Sequence, residues 1–283
     1  PISGDYSKVV NQKSIDLLRL AYKSGINEFD TAPNYGYGNS EFLLGKAFEK
    51  YKVKPKINTK IGNNHKKLKN FDLSFLKKSF QNSMKLLKIK KINILYIHNP
   101  MYLSNYKEIF GYLTLLKKEN KIRDYGLSIS KSFNYNDKFI NKFKIIQLDH
   151  NILYLKNILN KQFKQKEIHA RSPFASGTIF LLNKKKVFSK SDFRLKWLSS
   201  ERKKTIIKQL KTIKKKFNED IYDLSLNFLF YDSFINKIII GIKDISQLND
   251  FLKRVKIIKK NFINVKFYKK FYFLEKIFEK KGF

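Results

Sequence analysis

Apolar residues recur along the chain in two alternating patterns. In the first, they are spaced three and four residues apart with lysines on the opposite face, which is typical of amphipathic helices. In the second, short β-branched runs show little polar alternation, which is typical of strands covered on both faces. The first pattern predicts helices at about residues 13–25, 40–51, 74–88, 106–120, 201–217 and 244–258. The second predicts strands at residues 27–32, 56–61, 92–98, 125–130, 145–150, 167–172 and 237–242.

The alternation of strands and helices predicts an α/β fold with a parallel sheet. Seven strands, with a helix after nearly every one, suggest a (β/α)8 TIM barrel that lacks one strand. The chain opens at Pro1 and reaches its first helix by about residue 13. We therefore expect the first strand to be missing from this chain, which would make the sequence a fragment. We expect a single domain over residues 1–283, with residues 259–283 as a C-terminal helical extension.

Composition narrows the class of protein. The hydrophobic content of 42% and the aromatic content of 15% indicate a packed globule rather than a disordered chain. No run approaches the roughly 18 uncharged apolar residues of a membrane helix, so we expect no membrane association. The absence of cysteine excludes a disulfide scaffold, a zinc–cysteine site and a thiol nucleophile. It also fits a reducing cytoplasm, where we expect the protein to act, and we expect no metal cofactor.

The formal net charge of +37 raises the alternative of a polyanion partner. Only six of the 60 basic residues are arginine, the better reader of phosphate and base edges. The remaining 54 lysines are spread through every segment, and with abundant Ile, Asn, Phe and Tyr they match an AT-rich codon bias. We therefore expect loose polyanion binding and no specific nucleic-acid function. The lysine- and aromatic-rich segment 250–283 is better explained as a docked terminal helix.

Four polar side chains stand at the ends of three consecutive predicted strands. Asp30 ends the first strand, Tyr35 lies on its loop, Lys60 ends the second strand and His98 ends the third. Active sites of (β/α)8 barrels lie at the C-terminal ends of the strands, so these side chains are expected to converge. Pro33 in the same loop is a turn residue, which suits a loop that sets the position of the phenol.

The four groups together fit the reduction of a carbonyl. A phenol is a weak proton donor at neutral pH, and a nearby ammonium group favours its ionised form. A carboxylate keeps the ammonium charged and in place, while an imidazole can donate a hydrogen bond to a carbonyl oxygen. Such a set could protonate the oxygen of a carbonyl as hydride reaches its carbon. Because no side chain supplies hydride, this chemistry requires a cofactor.

The segment FDTAPNYGYGNSEFLLGKAF (29–48) resembles the signature of the aldo-keto reductases, in which a strand-end Asp and a Tyr five residues later are catalytic. Further segments resemble the family in the same order, over about residues 13–258: NTKIG, LYIHNP, NKIRDYGLSIS, IIQLDHNILY, KEIHARSPFASG and KIIIGIKDISQL. The HARS segment is similar to the corresponding segment in a bacterial branch of this family, and that branch is associated with surface-polysaccharide gene clusters. No G-x-G-x-x-G motif is present, which is consistent with a family that binds its dinucleotide on the barrel rim.

The resemblance implies an NADPH-dependent reductase of an aldehyde, ketone or sugar-like carbonyl, with NADH as the alternative cofactor. It makes Tyr35 the proton donor, tuned by Lys60 paired with Asp30, and His98 the group that orients the carbonyl. It also implies cofactor contacts. Ser128 and Gln147 would hold the nicotinamide carboxamide. A loop with Ser172, Phe174 and Ser176 would wrap the pyrophosphate. Gly241, Lys243 and Gln247, in and after the last strand, would meet the adenosine end.

Several positions depart from the family pattern. Ile129 replaces a common Asn, Arg171 replaces an aromatic residue that stacks on the nicotinamide in many members, and Asp250-Phe251 replaces the usual Glu-Asn pair. One alternative is a reductase-like barrel that senses or binds a cofactor without efficient catalysis. The intact Asp, Tyr, Lys and His favour the enzyme. Substrate identity and oligomeric state are not predicted.

Overall fold

The computed structural model describes residues 10–64, 66, 68–100, 105–130, 137–154, 163, 165–182 and 192–260. The chain divides into two compact units. The first unit comprises Pro1–Gln147 and Ile242–Leu248, and the second comprises Leu148–Gly241 and Asn249–Phe283. The boundary between them falls inside one strand and again inside the last helix.

The sheet of the first unit is parallel and follows chain order. Its register places Lys60 beside Tyr96, and His98 beside Ser128, which in turn lies beside Gln147. Parallel strands end at the same edge of a sheet, so their last residues become neighbours. The strands are β1 (Glu28–Asp30), β2 (Lys56–Ile61), β3 (Ile92–His98), β4 (Ile122–Ser128) and the first part of β5 (Ile145–Asp149).

Helices pack against this sheet, and they are α1 (Asn11–Lys23), α2 (Asn39–Phe48), α3 (Leu73–Leu87), α4 (Tyr106–Lys118) and α5 (Asp137–Ile140). Their apolar faces form a core cluster that joins the first three helices to β2, with members Leu18, Leu43, Leu44, Ala47, Phe48, Ile57 and Leu87. Burial of each such Leu, Ile or Phe side chain stabilises the folded state by about 1.5–3 kcal/mol relative to leaving it exposed. All seven residues of β3 are buried, which explains its nearly uninterrupted apolar sequence.

Gly45 allows α2 and α3 to approach closely. A Cβ atom at this position would lie 2.0 Å from the backbone oxygen of Leu86. Glycine is therefore required here by the distance between two helices, and not by an unusual backbone conformation.

The second unit contains β6 (Glu167–Arg171) and β7 (Lys237–Ile238), which pair in parallel. Its helices are α6 (Ser200–Phe217), α7 (Ile221–Phe230) and most of α8 (Ile245–Lys260). Short 3₁₀ segments follow β6 at Ala175–Leu182 and precede α6 at Phe193–Lys196. A core of buried apolar residues joins β6, the segment Ala175–Leu182, α6 and α7, and its members include Ala170, Ile179, Leu210, Ile213, Leu224 and Phe228.

The predicted helices are present, with bounds that differ by a few residues. The sequence pattern missed the four-residue α5 and also α7, in which seven of the ten residues are buried. The last strand is shorter than predicted: its ladder with β6 covers two residues, and Ile239 adds one further bond to Ala170. Residues 261–283 lie outside the described part, so the single domain and its C-terminal extension stay predictions.

Within the described ranges, no helix is both long and apolar enough to cross a bilayer.

Candidate active site

Asp30 and Lys60 form a buried ion pair at the ends of β1 and β2. Lys60 Nζ lies 2.5 Å from Asp30 Oδ2, and it also donates to the backbone oxygen of Thr31 at 2.8 Å. The Lys60 side chain is fully buried, and the Asp30 side chain is 9% exposed. A charge that is removed from water needs such a partner, so each residue fixes the charge state and place of the other.

Gln147 and Ser128 extend this pair across the sheet. Gln147 Nε2 donates to Asp30 Oδ1 at 2.8 Å, and Ser128 Oγ donates to Gln147 Oε1 at 2.8 Å. Both side chains are fully buried. Asp30 thus accepts one hydrogen bond on each carboxylate oxygen, from side chains that come from β2 and β5.

Tyr35 opens a tight turn between β1 and α2. Three successive residues of this turn adopt left-handed backbone conformations, with φ values of 57° at Gly36, 56° at Tyr37 and 92° at Gly38. Glycine adopts this region at little cost, which accounts for two of the three positions. The turn places the ring centroid of Tyr35 5.0 Å from Lys60 Nζ.

His98 ends β3 beside Tyr35. The two rings are perpendicular, with centroids 6.2 Å apart. The His98 side chain is buried, whereas Tyr35 is half-buried. The four residues predicted from strand ends, Asp30, Tyr35, Lys60 and His98, are therefore neighbours within the first unit, and Ser128 and Gln147 adjoin them through the hydrogen bonds above.

Glu41 is a carboxylate close to this cluster that was not predicted from the sequence. It is 1% exposed and accepts a hydrogen bond from Thr59 Oγ1 at 2.6 Å. Burial raises the pKa of Glu41 to about 7, against the opposing effects of the Thr59 and Ser83 hydroxyl groups and of the Lys60 charge. A signal was present in the sequence, because Glu41 is in helical phase with the buried Leu44 and Phe48.

Ser172, Phe174 and Ser176 lie together on the loop that follows β6 in the second unit. The loop contains left-handed residues, with φ values of 56° at Ser172, 46° at Ala175 and 56° at Ser176. Asn151 Nδ2 donates to the backbone oxygen of Ser172 at 2.9 Å. Turns of this kind present backbone N–H groups on a concave side, as anion-binding loops do.

Arg194 braces the same loop, and it too was missed from the sequence. Its Nη1 donates to the backbone oxygen of Ser176 at 3.0 Å. The buried Asp192 holds the guanidinium in two places, by bonds of 2.8 Å from Nε and 2.5 Å from Nη2. No sequence signal marks this pairing, because an Asp two residues before an Arg is common in a loop.

Phe174 packs on a tyrosine that is itself held by charges. The ring centroids of Phe174 and Tyr222 lie 4.7 Å apart at 89°. Arg254 stacks 4.5 Å from the Tyr222 ring and pairs with Asp223 at 2.6 Å. Burial, aided by the charge of Asp250, raises the pKa of Tyr222 to about 12. The phenol is therefore neutral under ordinary conditions.

Three predicted cofactor residues lie near the start of α8. The backbone N–H of Lys243 donates to Gln247 Oε1 at 3.1 Å, and the N–H of Gln247 donates to Asp244 Oδ1 at 2.8 Å. The side chains of Lys243 and Gln247 are exposed and belong to the first unit. Gly241 is exposed in the second unit. Where the chain is described, no group of three or more His, Cys, Asp or Glu side chains could hold a metal ion.

Solved structures share the fold of this chain. The glycerol dehydrogenase AKR11B4 from Gluconobacter oxydans superimposes with a TM-score of 0.71 and 19% identity, covering 93% of this chain and 91% of its own. The holo form of the aldo-keto reductase AKR11C1 from Bacillus halodurans gives 0.72 and 18%, covering 96% and 90%. They confirm the predicted fold class, an α/β fold of the (β/α)8 type, with seven strands among the residues described here.

Curated relatives match about half of the chain. Aldo-keto reductase YhdN from Bacillus subtilis is 27% identical over 54% of this chain and 46% of its own. L-galactose dehydrogenase from Arabidopsis thaliana is 30% identical over 45% and 42%. NADH-specific methylglyoxal reductase from Escherichia coli is 30% identical over 41% and 40%. The chain thus spans less than half the length of these relatives.

The family profile matches far more of the chain than any of these pairwise alignments. It covers residues 2–262, which include every residue predicted for the site. With the buried Asp30–Lys60 pair and the adjoining Tyr35 and His98, this match shows that the chain belongs to the aldo/keto reductase family.

Proposed function

We propose that this protein reduces the carbonyl group of a small aldehyde, ketone or sugar-like molecule, with NADPH as cofactor and NADH as the alternative. The observation that carries the proposal is the convergence of Tyr35, Lys60 and His98 around the Asp30 carboxylate. The Lys60 ammonium lies 5.0 Å from the centroid of the Tyr35 ring, and the His98 imidazole lies beside that ring. These are the groups that proton transfer to a carbonyl oxygen needs.

The contacts support the roles that the family resemblance implied. Tyr35 gives its proton to the carbonyl oxygen. Lys60, anchored by Asp30, keeps a positive charge near the phenol and so favours the phenolate that this transfer leaves. His98 donates a hydrogen bond to the same oxygen and orients it. Charge that develops on the oxygen is thereby met by groups already in place, which lowers the barrier.

The residues present fit a nicotinamide dinucleotide, which when bound supplies the hydride. Ser128 and Gln147, which bond each other and, through Gln147, Asp30, would stand beside the nicotinamide carboxamide. The left-handed loop with Ser172, Phe174 and Ser176 would lie along the pyrophosphate. Gly241 and Gln247 would lie along the adenosine, and the exposed Lys243 could meet a 2′-phosphate, which supports NADPH.

The experiment is a comparison of two tyrosines of the same turn. Tyr35→Phe removes the proposed proton donor, and Tyr37→Phe removes the hydroxyl of a neighbour that is 67% exposed. We expect the first variant to lose about 10²–10⁴-fold in turnover of an aldehyde panel while its affinity for NADPH, followed by cofactor fluorescence, is nearly unchanged. The second should turn over like the wild type. A chain that binds neither NADPH nor NADH would contradict the proposed function.

A further inference from the structure

The turn that carries Tyr35 is tied down at its far end by two buried side-chain hydrogen bonds. Ser40 accepts from Thr31 Oγ1 at 2.9 Å, and Glu41 accepts from Thr59 Oγ1 at 2.6 Å. Ser40 and Glu41 belong to the first turn of α2, where the N-cap is Gly38 and makes no side-chain cap. The Ser40 side chain instead bonds Thr31, the residue after β1, and the Glu41 side chain bonds Thr59 of β2.

Glu41 reaches β2 next to Lys60 but on the opposite face. Successive side chains of a strand point to opposite sides, so Thr59 faces α2 while Lys60 faces Asp30. The Glu41 carboxyl therefore lies behind the strand segment that holds Lys60. Lys60 also donates to the backbone oxygen of Thr31, at the start of the turn. The turn and the lysine are thus joined on both sides of β2.

We propose that Glu41 is a positioning residue for the reaction: through Thr59 it fixes the Tyr35 turn relative to Lys60. The inference rests on the proposed function and adds to it a residue that does not touch the reacting atoms. Its basis is geometric. A carboxylate that is 1% exposed, in a helix first turn with no cap, accepts a hydrogen bond from the residue before Lys60. A shift of about 1 Å in such a contact can cost about 10²-fold in rate.

Three variants test the contact. Glu41→Leu removes the acceptor, Thr59→Val removes the donor with little change in shape, and Glu41→Gln retains an oxygen that can accept from Thr59. Activity is measured per folded molecule, with saturating NADPH and a fixed aldehyde, beside the dissociation constant of NADPH. We expect the first two to lower kcat about 10- to 100-fold with the NADPH constant within about twofold. Glu41→Gln should stay within about threefold of the wild type.

The double variant Glu41→Leu/Thr59→Val distinguishes a shared contact from two separate ones. Because both changes remove the same hydrogen bond, the loss in kcat should match that of the worse single variant rather than the product of the two. Thr59→Val deletes only a hydroxyl, so it keeps the test open if Glu41→Leu does not fold.

Glu28 supplies the matched control. Its Oε1 accepts from Asn58 at 2.8 Å and from Asn93 at 3.2 Å, so it also joins β1 to its neighbours, but at the start of the strand. Glu28→Leu should lower the melting temperature and leave kcat of the folded protein within about twofold. If Glu41→Leu and Thr59→Val behave like Glu28→Leu, the positioning role is wrong while the proposed function stands. A wild-type chain without turnover would overturn both.

Discussion

Lys60 Nζ lies 2.5 Å from Asp30 Oδ2, with the lysine side chain fully buried. Among the lysines of the described residues, Lys60 is distinguished by its burial rather than by its chemistry. The pair gives a direct test of how far the site depends on a buried charge.

Lys60→Met should lower the free energy of unfolding by about 3–5 kcal/mol, because it leaves the Asp30 carboxylate buried without its cation. Urea denaturation measures the change. Lys46→Met is the matched control: Lys46 pairs with Glu49 at 3.6 Å on the surface, where both side chains are more than 40% exposed. That variant should change stability by less than about 0.5 kcal/mol. Equal effects of the two substitutions would contradict the buried pair.

Glu41 should make stability fall as the pH rises through the range from about 4.5 to about 7. Below the unfolded pKa of 4.5 both states hold the proton; between the two values only the folded state holds it; above 7 neither does. Because the folded state binds one more proton than the unfolded state in this pH window, the free energy of unfolding decreases as the pH rises. For this group the decrease is about 3 kcal/mol. Denaturation of the wild type and Glu41→Gln at pH 4, 5, 6, 7 and 8 isolates the effect. Parallel curves would show that the Glu41 proton is not linked to folding.

Gly45→Ala should destabilise the protein by about 1–3 kcal/mol, because its methyl group would meet the backbone oxygen of Leu86 at 2.0 Å. Gly111→Ala is the opposite case. Gly111 lies inside α4, and among the described residues no atom beyond its own helix backbone lies within 4 Å of the position that a Cβ would take, so alanine there should stabilise the helix by about 0.5–1 kcal/mol. Thermal melts of the two variants should move in opposite directions. A melting temperature for Gly45→Ala at or above the wild type would refute the close approach of α2 and α3.

Arg194→Lys should weaken NADPH binding about tenfold, or about 1.4 kcal/mol, because lysine cannot reproduce the fork that joins Asp192 to the backbone of Ser176. Saturating cofactor should restore kcat. The control is Arg202→Lys, at a guanidinium that lies in the first turn of α6 and stacks 5.4 Å from the Trp197 ring. Fluorescence titration with NADPH separates the two. An unchanged dissociation constant in Arg194→Lys would show that Arg194 does not contribute to NADPH binding.

The helices and strands could be predicted because their periodicity is local. Apolar spacing follows from which face of each element is covered, as in α3, where Leu76, Phe80 and Leu87 are buried. Asp30, Lys60 and His98 could be predicted because parallel strands bring their ends to one edge, and Tyr35 because it lies on the loop that follows the first of these strands. The helix α7, in which seven of the ten residues are buried, was missed.

Apart from the Asp30–Lys60 pair, which the family resemblance implied, the side-chain hydrogen bonds between these elements could not be predicted. Gln147 reaches Asp30 across 117 residues, and Glu41 meets Thr59 on a strand whose other face carries Lys60. Nothing in the local sequence of either residue specifies its partner, because the partner is set by register and packing.

The order of elements, the family and the four residues of the candidate site could all be inferred from the amino-acid sequence, because each depends on local spacing and on the types of residue present. The environment of those residues depends on tertiary contacts. Folding buries one lysine among many, joins both oxygens of Asp30 to β2 and β5, and raises the pKa of Glu41 by removing it from water. Burial and partner choice are properties of three-dimensional contact, and they turn ordinary side chains into a site.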